Sequence, residues 1–325
     1  MYPRLSDLTQ DLFGVTAPFP IYAFGAMVAL AALVGAWLTA RELDRLYRAG
    51  RIAGVEVKDA DALSDADAPP DAPRTVQVSP SVLVSTGLLL TIVLGMTGAK
   101  VFHLLENMGA FLNDPVGMLF TSGGLTFYGG FLAAGVGVAY YIQRHGLSVP
   151  TFADACAPGL MMGYGIGRIG CHLAGDGDWG IAADLSLKPD ILPIWLWAET
   201  YPNNILGVTL PAPGVYPTPL YEFAMASVLL FAVLWVARRH PFRSGWLSSL
   251  YLVLAGGERL LIEQIRVNVT FDVFGVMATQ AEVISVGLMV AGAVGLWLTT
   301  QERVPSRPPS VASSDVGSSA VSSTT

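Results

Sequence analysis

Residues 82–105 read VLVSTGLLLTIVLGMTGAKVFHLL, and no charge appears before Lys100. A helix of roughly 20 mostly apolar residues is what a bilayer core requires. Gly95, Gly98 and Lys100 interrupt the run near its end, which suits a long or tilted span. Six further stretches repeat the pattern, at about 21–39, 124–142, 152–170, 217–237, 246–265 and 281–299. Over the whole chain 53% of residues are hydrophobic and only 13% are charged, with a mean hydropathy of +0.53. Soluble domains carry about 25% charged residues. The sequence therefore predicts an all-α integral membrane protein with about seven transmembrane helices.

Lysine and arginine set the expected orientation. Of the 18 such residues, Lys100, Arg168 and Arg259 lie within spans, and Arg4, Lys188 and Arg266 fall on one side. All the others fall on the opposite side, which predicts an outside N-terminus and a cytoplasmic C-terminus. Residues 1–20 hold Asp7, Asp11 and three prolines, and read as an outer N-terminal segment without a cleavable signal. The domain of seven spans covers 21–299. Residues 52–80, rich in Asp, Ala and Pro, read as a flexible cytoplasmic loop, and 300–325, rich in Ser and Pro, as a disordered cytoplasmic tail. Residues 171–216 hold Trp179, Trp195, Trp197, Tyr201 and Tyr216 and read as an outer-face cap at the membrane interface. The net charge of −7 comes partly from the acidic loop and gives no footing for nucleic acid. Cys156 and Cys171 are too few for a disulfide framework.

Charge inside the spans is sparse and costly, about 2.5–3.5 kcal/mol for an arginine at a helix centre. Arg168 ends the fourth span in GYGIGRIG. RLLIEQIR (259–266) sets Arg259, Glu263 and Arg266 at spacings of four and three, which predicts one helix face of alternating charge. Two readings fit: a salt-bridge ladder between helices, or guanidiniums held for a phosphate or carboxylate. Arg168 and Arg259, from different helices at similar outer depth, predict a shared site for an anionic phospholipid headgroup. The glycines of GGLTFYGGF (123–131) and GYGIGRIG serve either close helix packing or backbone approach to an anion.

These residues resemble the prolipoprotein diacylglyceryl transferase family over about 21–299. The family's arginine motif appears as GRIGCHLAGDGDWG, keeping Gly167, Arg168, Gly170 and Gly180. Its glycine-rich third-span motif appears as GGLTFYGG, with Gly129 and Gly130. YPTPLYE carries Glu222, RLLIEQIR carries Arg259, Glu263 and Arg266, and PFPIYAFG carries Tyr22. The resemblance implies transfer of the diacylglyceryl group of phosphatidylglycerol, or a similar anionic phospholipid, onto the cysteine thiol of a preprolipoprotein lipobox peptide. It also implies a multi-pass protein of the bacterial inner membrane, without metal or soluble cofactor. Arg168, Arg259, Tyr128 and His172 are the expected catalytic residues. Tyr22, Gly129, Gly130, Gly170, Cys171, Asp176, Gly180, Glu222, Glu263 and Arg266 are expected to contact substrate.

The chain departs from the family where a proton must move. Tyr128 replaces the third-span histidine, and a tyrosine with its ordinary pKa near 10 is a poor base at neutral pH. Cys171 replaces an asparagine, His172 its aromatic neighbour, and Ala174-Gly175-Asp176 an Asn-Gly-Glu. His172, oriented by Asp176 or Asp178, is the expected displaced base. Two other readings stay open at this point: a divergent lipid-group transferase with another acceptor, in which Cys171 could be a nucleophile, and a phospholipid-binding relative without catalysis.

Overall fold

The structure, a computed structural model, describes residues 1–14, 21–58, 75–121, 124–273 and 275–301. A short helix, α1 (Leu5–Phe13), precedes α2 (Ala23–Arg48). Strands β1 (Val55–Lys58) and β2 (Thr75–Val78) follow, and then α3 (Leu83–Glu106). Two six-residue helices, α4 (Met108–Asn113) and α5 (Pro115–Phe120), lead to α6 (Phe127–Arg144) and α7 (Val149–Ala174). After a long irregular segment come α8 (Thr218–Ala237), α9 (Trp246–Glu263), the hairpin β3 (Thr270–Val273) and β4 (Val276–Thr279), and α10 (Gln280–Thr300). Each of the seven apolar stretches read in the sequence thus carries one long helix.

Among the described residues, α2, α3 with the turn before it, α8 and α10 are long and apolar enough to cross a membrane. The chain is mostly helical and is a membrane protein by this measure. α6, α7 and α9 dilute their apolar content with glycine, serine and charge, which fits helices packed against other helices. Two short hairpins accompany the helices, β1 pairing antiparallel with β2 and β3 with β4. The loop 52–80 is consequently ordered at both arms, where alternating Val55, Val57, Val76 and Val78 favour a strand ladder. The middle of that loop, 59–74, and residues 302–325 of the tail lie outside the described residues.

Local chemistry explains the helix limits. Ser148 accepts from Thr151 N–H at 3.4 Å to start α7, and Gly175 closes it at φ +61°. The last span opens on a reciprocal cap: Glu282 N–H donates to Thr279 Oγ1 at 3.1 Å, and Thr279 N–H to Glu282 Oε2 at 2.8 Å. The cap of α9 comes from another helix. Buried Asp154, on α7, accepts from Gly245 N–H and Ser248 N–H, each at 2.7 Å.

Close antiparallel pairs build the bundle. α2 lies on α7, where a Cβ on Gly159 would sit 2.6 Å from Gly35 O and one on Gly163 3.3 Å from Ala31 O. α3 lies on α6, where a Cβ on Gly129 would meet Phe102 Cβ at 2.4 Å and Gly98 O at 2.6 Å. α9 lies on α10, where a Cβ on Gly256 would meet Ser285 O at 2.7 Å. Lipid gives helices no hydrophobic reason to associate, so contact of this kind rests on small residues that let backbones touch. α7 also packs against α8 and α9, and this brings Arg168, Glu222 and the end of α9 together.

Candidate active site

Glu222 is fully buried one turn into α8. Its Oε2 accepts from the Tyr164 hydroxyl and is paired with Arg168 Nε, both at 2.5 Å. Its Oε1 accepts from Arg266 Nη1 at 2.9 Å. The same two guanidiniums reach Asp178, Arg168 through Nη1 and Arg266 through Nη2. Two arginines and two carboxylates therefore alternate in a closed ring without net charge. Buried charge is tolerable when each ion is paired and its remaining hydrogen bonds are filled. The Tyr164 ring, 4.9 Å beneath the Arg168 carbon, adds a cation–π face.

Backbone pairing around the ring fixes its members. The irregular segment 175–217, labelled the cap below, starts after Ala174 because α7 runs on through Cys171 and His172. Gly180 bridges Arg266, with Ile181 N–H donating to Ile265 O at 2.8 Å. Gly180 N–H donates to Tyr216 O at 2.9 Å, and the Thr218 hydroxyl to Asp178 O at 2.5 Å. A Cβ on Gly180 would stand 2.6 Å from Ile265 O, so this position draws the cap onto the end of α9.

The helix-face expectation for Arg259, Glu263 and Arg266 is corrected here. α9 ends at Glu263, and Arg266 turns away with the following segment to join the ring. Arg266, not Arg259, is the arginine joined to Arg168 through shared carboxylates. Arg259 instead pairs with Glu263 at 2.8 Å along the helix. Asn268 donates to Glu263 Oε1 at 2.6 Å. Arg259 Nη1 and Glu258 Oε1 are buried without a hydrogen-bond partner. Glu258 is 5% exposed and lies within electrostatic reach of Glu222, Arg168 and Arg259, beside Tyr164. Sequence reasoning gave no role to Glu258, which directly precedes Arg259 in the sixth span. It likewise missed Tyr164, whose signal was its place one helical turn before Arg168.

His172 is not oriented by Asp176 or Asp178. Its Nδ1 is 3.2 Å from the Tyr201 hydroxyl, and Tyr201 is buried in the cap against Trp179, with ring centroids 5.1 Å apart. Asp178 is occupied by the two arginines, which leaves it no geometry for His172. Cys171 is buried, its Sγ 4.0 Å from Arg168 Nη1. Ligand atoms of Cys171, Asp176 and Asp178 lie within 4.8 Å of one another. A cation there would face the two guanidiniums that already hold Asp178, and their charge opposes it.

The other expected residues lie elsewhere in the fold. Tyr128 opens α6, is 43% exposed and bonds through its hydroxyl to no described residue, with Phe127 edge-on at 5.6 Å. Gly129 and Gly130 are buried in the seam with α3, and Gly170 in the seam with α2, where a Cβ would meet Met27 Cβ at 3.0 Å. Gly123 lies outside the described residues. Tyr22 sits beneath the Arg4 guanidinium at 5.9 Å and lines a cavity of about 510 Å³ with Tyr2, Asp7 and Asn203.

The electrostatics of Asp178 give a pH signature. Burial works against its charge, yet Arg266 and Arg168 outweigh burial and hold its pKa below the ordinary carboxylate value. Asp176 is pushed up by burial, which outweighs its hydrogen bonds from Cys171 and Asp178 N–H and the charge of Arg168. A lowered folded-state pKa gives stability that is complete above the unfolded value, about 3.9, and is lost as pH falls through the folded value. Thermal unfolding followed down from pH 6 should therefore show a loss below about pH 4 that Asp178→Asn removes. Identical acid slopes in the two proteins would take Asp178 out of the ring.

A family model described as prolipoprotein diacylglyceryl transferase matches residues 73–298, which include every member of the ring. The chain belongs to the prolipoprotein diacylglyceryl transferase family. A phosphatidylglycerol–prolipoprotein diacylglyceryl transferase of Leptospira interrogans is 33% identical over 150 residues, covering 46% of this chain and 44% of that protein. The protein of the same description from Xylella fastidiosa is 29% identical over 231 residues, 65% of this chain and 74% of its own length. That of Chromohalobacter salexigens is 28% identical over 266 residues, 82% of this chain and 80% of its own. The chain thus spans under half of the Leptospira relative and most of the other two. Arg168 and Arg266 each pair with Glu222 inside the matched region.

Proposed function

We propose that this chain moves the diacylglyceryl group of phosphatidylglycerol onto the lipobox cysteine of a preprolipoprotein, at the outer side of a bacterial inner membrane. In this reading the chain crosses the bilayer seven times, with the N-terminus outside and the C-terminus in the cytoplasm. The seven long helices and the one-sided distribution of arginine support that topology. In the reaction a carbon–sulfur bond forms at the glyceryl carbon. The carbon–oxygen bond to phosphate breaks there, and glycerol phosphate leaves with the bonding electrons. Charge grows on the phosphate as it departs, so donors fixed beforehand lower the barrier.

The observation that carries the reading is Arg259 Nη1, a buried cationic donor without an acceptor, beside a rigid ring holding a second arginine. Arg168 spends Nε on Glu222 and Nη1 on Asp178, and its guanidinium stands with Arg259 within electrostatic reach of Glu258. A phosphate oxygen fills such vacancies well, because guanidinium donors match its geometry. The acyl chains would lie against the apolar helix faces, and the peptide would arrive beneath the cap. Within the same proposal Tyr22 and Tyr128 face substrate, and His172 holds the cap through Tyr201.

The direct test uses the full chain in liposomes with phosphatidylglycerol labelled in its acyl chains and a lipobox peptide. Label on the peptide is expected, with glycerol phosphate released in equal amount. A peptide with serine in place of the cysteine should stay unlabelled. Folded protein that binds the lipid but labels no peptide would sink the transferase reading and leave a phospholipid-binding relative.

A further inference from the structure

The polar groups at the end of α9 are unevenly satisfied. Every ring carboxylate oxygen has a cationic partner, and the Tyr164 proton is committed to Glu222. The Arg259 charge is committed to Glu263. Glu258 stands among these groups beside Tyr164, with Oε1 buried and without a hydrogen-bond partner; Glu263 Oε2 lacks a hydrogen bond too but is ion-paired with Arg259. An unfilled buried acceptor costs about 1–3 kcal/mol. A site that keeps one is arranged for a partner that arrives later, and the missing partner is a donor. Its sequence neighbour, Arg259, lacks an acceptor on Nη1. Side chains at adjacent helix positions leave the axis about 100° apart, so the two vacancies face different directions from one turn of α9.

We propose that Glu258 is the catalytic base: it accepts the proton of the acceptor thiol while Arg259 and Arg168 hold the lipid phosphate. This assignment rests on the transferase reading above. The thiol proton passes to Glu258 Oε1, and the thiolate forms the carbon–sulfur bond as the carbon–oxygen bond to phosphate breaks. The proton then leaves Glu258 for the released phosphate, which restores the carboxylate. No oxidant, metal or further reactant is required.

Three observations favour Glu258 over the other candidates. Tyr128 lies at the start of another helix, with its ring against Phe127 and its hydroxyl bonded to no described residue. His172 is turned toward Tyr201 in the cap. Asp178 and Glu222 have their oxygens filled by arginine. Glu258 combines an oxygen without a hydrogen-bond donor with a place beside Arg168 and Arg259, whereas Glu263, whose Oε2 also lacks a hydrogen bond, is held by the Arg259 charge.

The experiment separates proton removal from every other role by changing the acceptor. A selenocysteine peptide is already ionised at neutral pH and needs no base. Wild type in phosphatidylglycerol liposomes is expected to label both the cysteine and the selenocysteine peptide. Glu258→Gln should lose roughly 100-fold or more on the cysteine peptide, the scale of general-base catalysis, and stay close to wild type on selenocysteine. Glu258→Asp, which keeps a carboxylate, should lose less on cysteine than the glutamine variant. Equal losses on both peptides, equal losses in both variants, or full activity of Glu258→Gln on cysteine would each overturn the assignment. Failure of the underlying reading looks different: wild type itself would label neither peptide, and the assignment would fall with it.

Discussion

Replacing Glu222 with alanine should destabilise the protein by about 3–5 kcal/mol, the cost of removing one partner from a buried ion pair. Arg168 and Arg266 would keep Asp178 but lose their buried counter-charge, and their side chains are only 19% and 9% exposed. Tyr164 would lose its acceptor as well. Glu222→Gln keeps the shape and one acceptor oxygen, so its loss should be smaller. Asp178→Ala should also cost less, because 31% of the Asp178 side chain is exposed and water can replace part of what it supplies. Unfolding by denaturant in detergent micelles measures all three. A loss below about 1 kcal/mol for Glu222→Ala, within the range of an exposed pair, would show that the ring does not hold the fold.

Arg168→Lys should reduce transfer by about 100- to 1000-fold, the effect of losing one fixed donor to developing charge. The charge survives in this variant, but the planar fork does not. One ammonium cannot span Glu222 and Asp178 and still present a nitrogen to phosphate. Lipid binding should weaken far less than transfer, since a cation remains. Initial rates of peptide labelling, beside equilibrium binding of the same lipid, distinguish the two effects. Activity within tenfold of wild type would mean that charge alone suffices, and the geometry of the ring would lose its meaning for catalysis.

The sequence was informative where spacing within one element decides structure. Seven apolar runs became seven long helices, and the cost of charge in a bilayer marked Arg168 before any contact was known. It was uninformative where distant segments meet. Arg266 lies 88 positions from Asp178 along the chain, and its departure from the face of Arg259 depends on where α9 stops. That end is set by pairing with Gly180, a contact no local period encodes. The expected orientation of His172 differs for a related reason. Proximity in sequence suggested the aspartates as partners, but α7 continues past Cys171 and turns the imidazole toward Tyr201. The glycines of the third-span motif carried two readings, and for Gly129 and Gly130 the close packing is visible in the approach of α3.

The neutrality of the ring bears on turnover. The proposed reaction begins with a phosphodiester and releases a phosphomonoester, which can carry more negative charge than the lipid it came from. A pocket of uncompensated arginines would hold that product more tightly than the substrate and stall after one cycle. Here Glu222 and Asp178 cancel two guanidiniums, and Glu263 cancels the third. The surroundings offer the phosphate directed donors without a large surplus of positive charge. Affinity then comes mainly from the acyl chains and from hydrogen-bond geometry. Once the glyceryl group has moved to sulfur, the departing headgroup has lost its lipid anchor and is free to diffuse away.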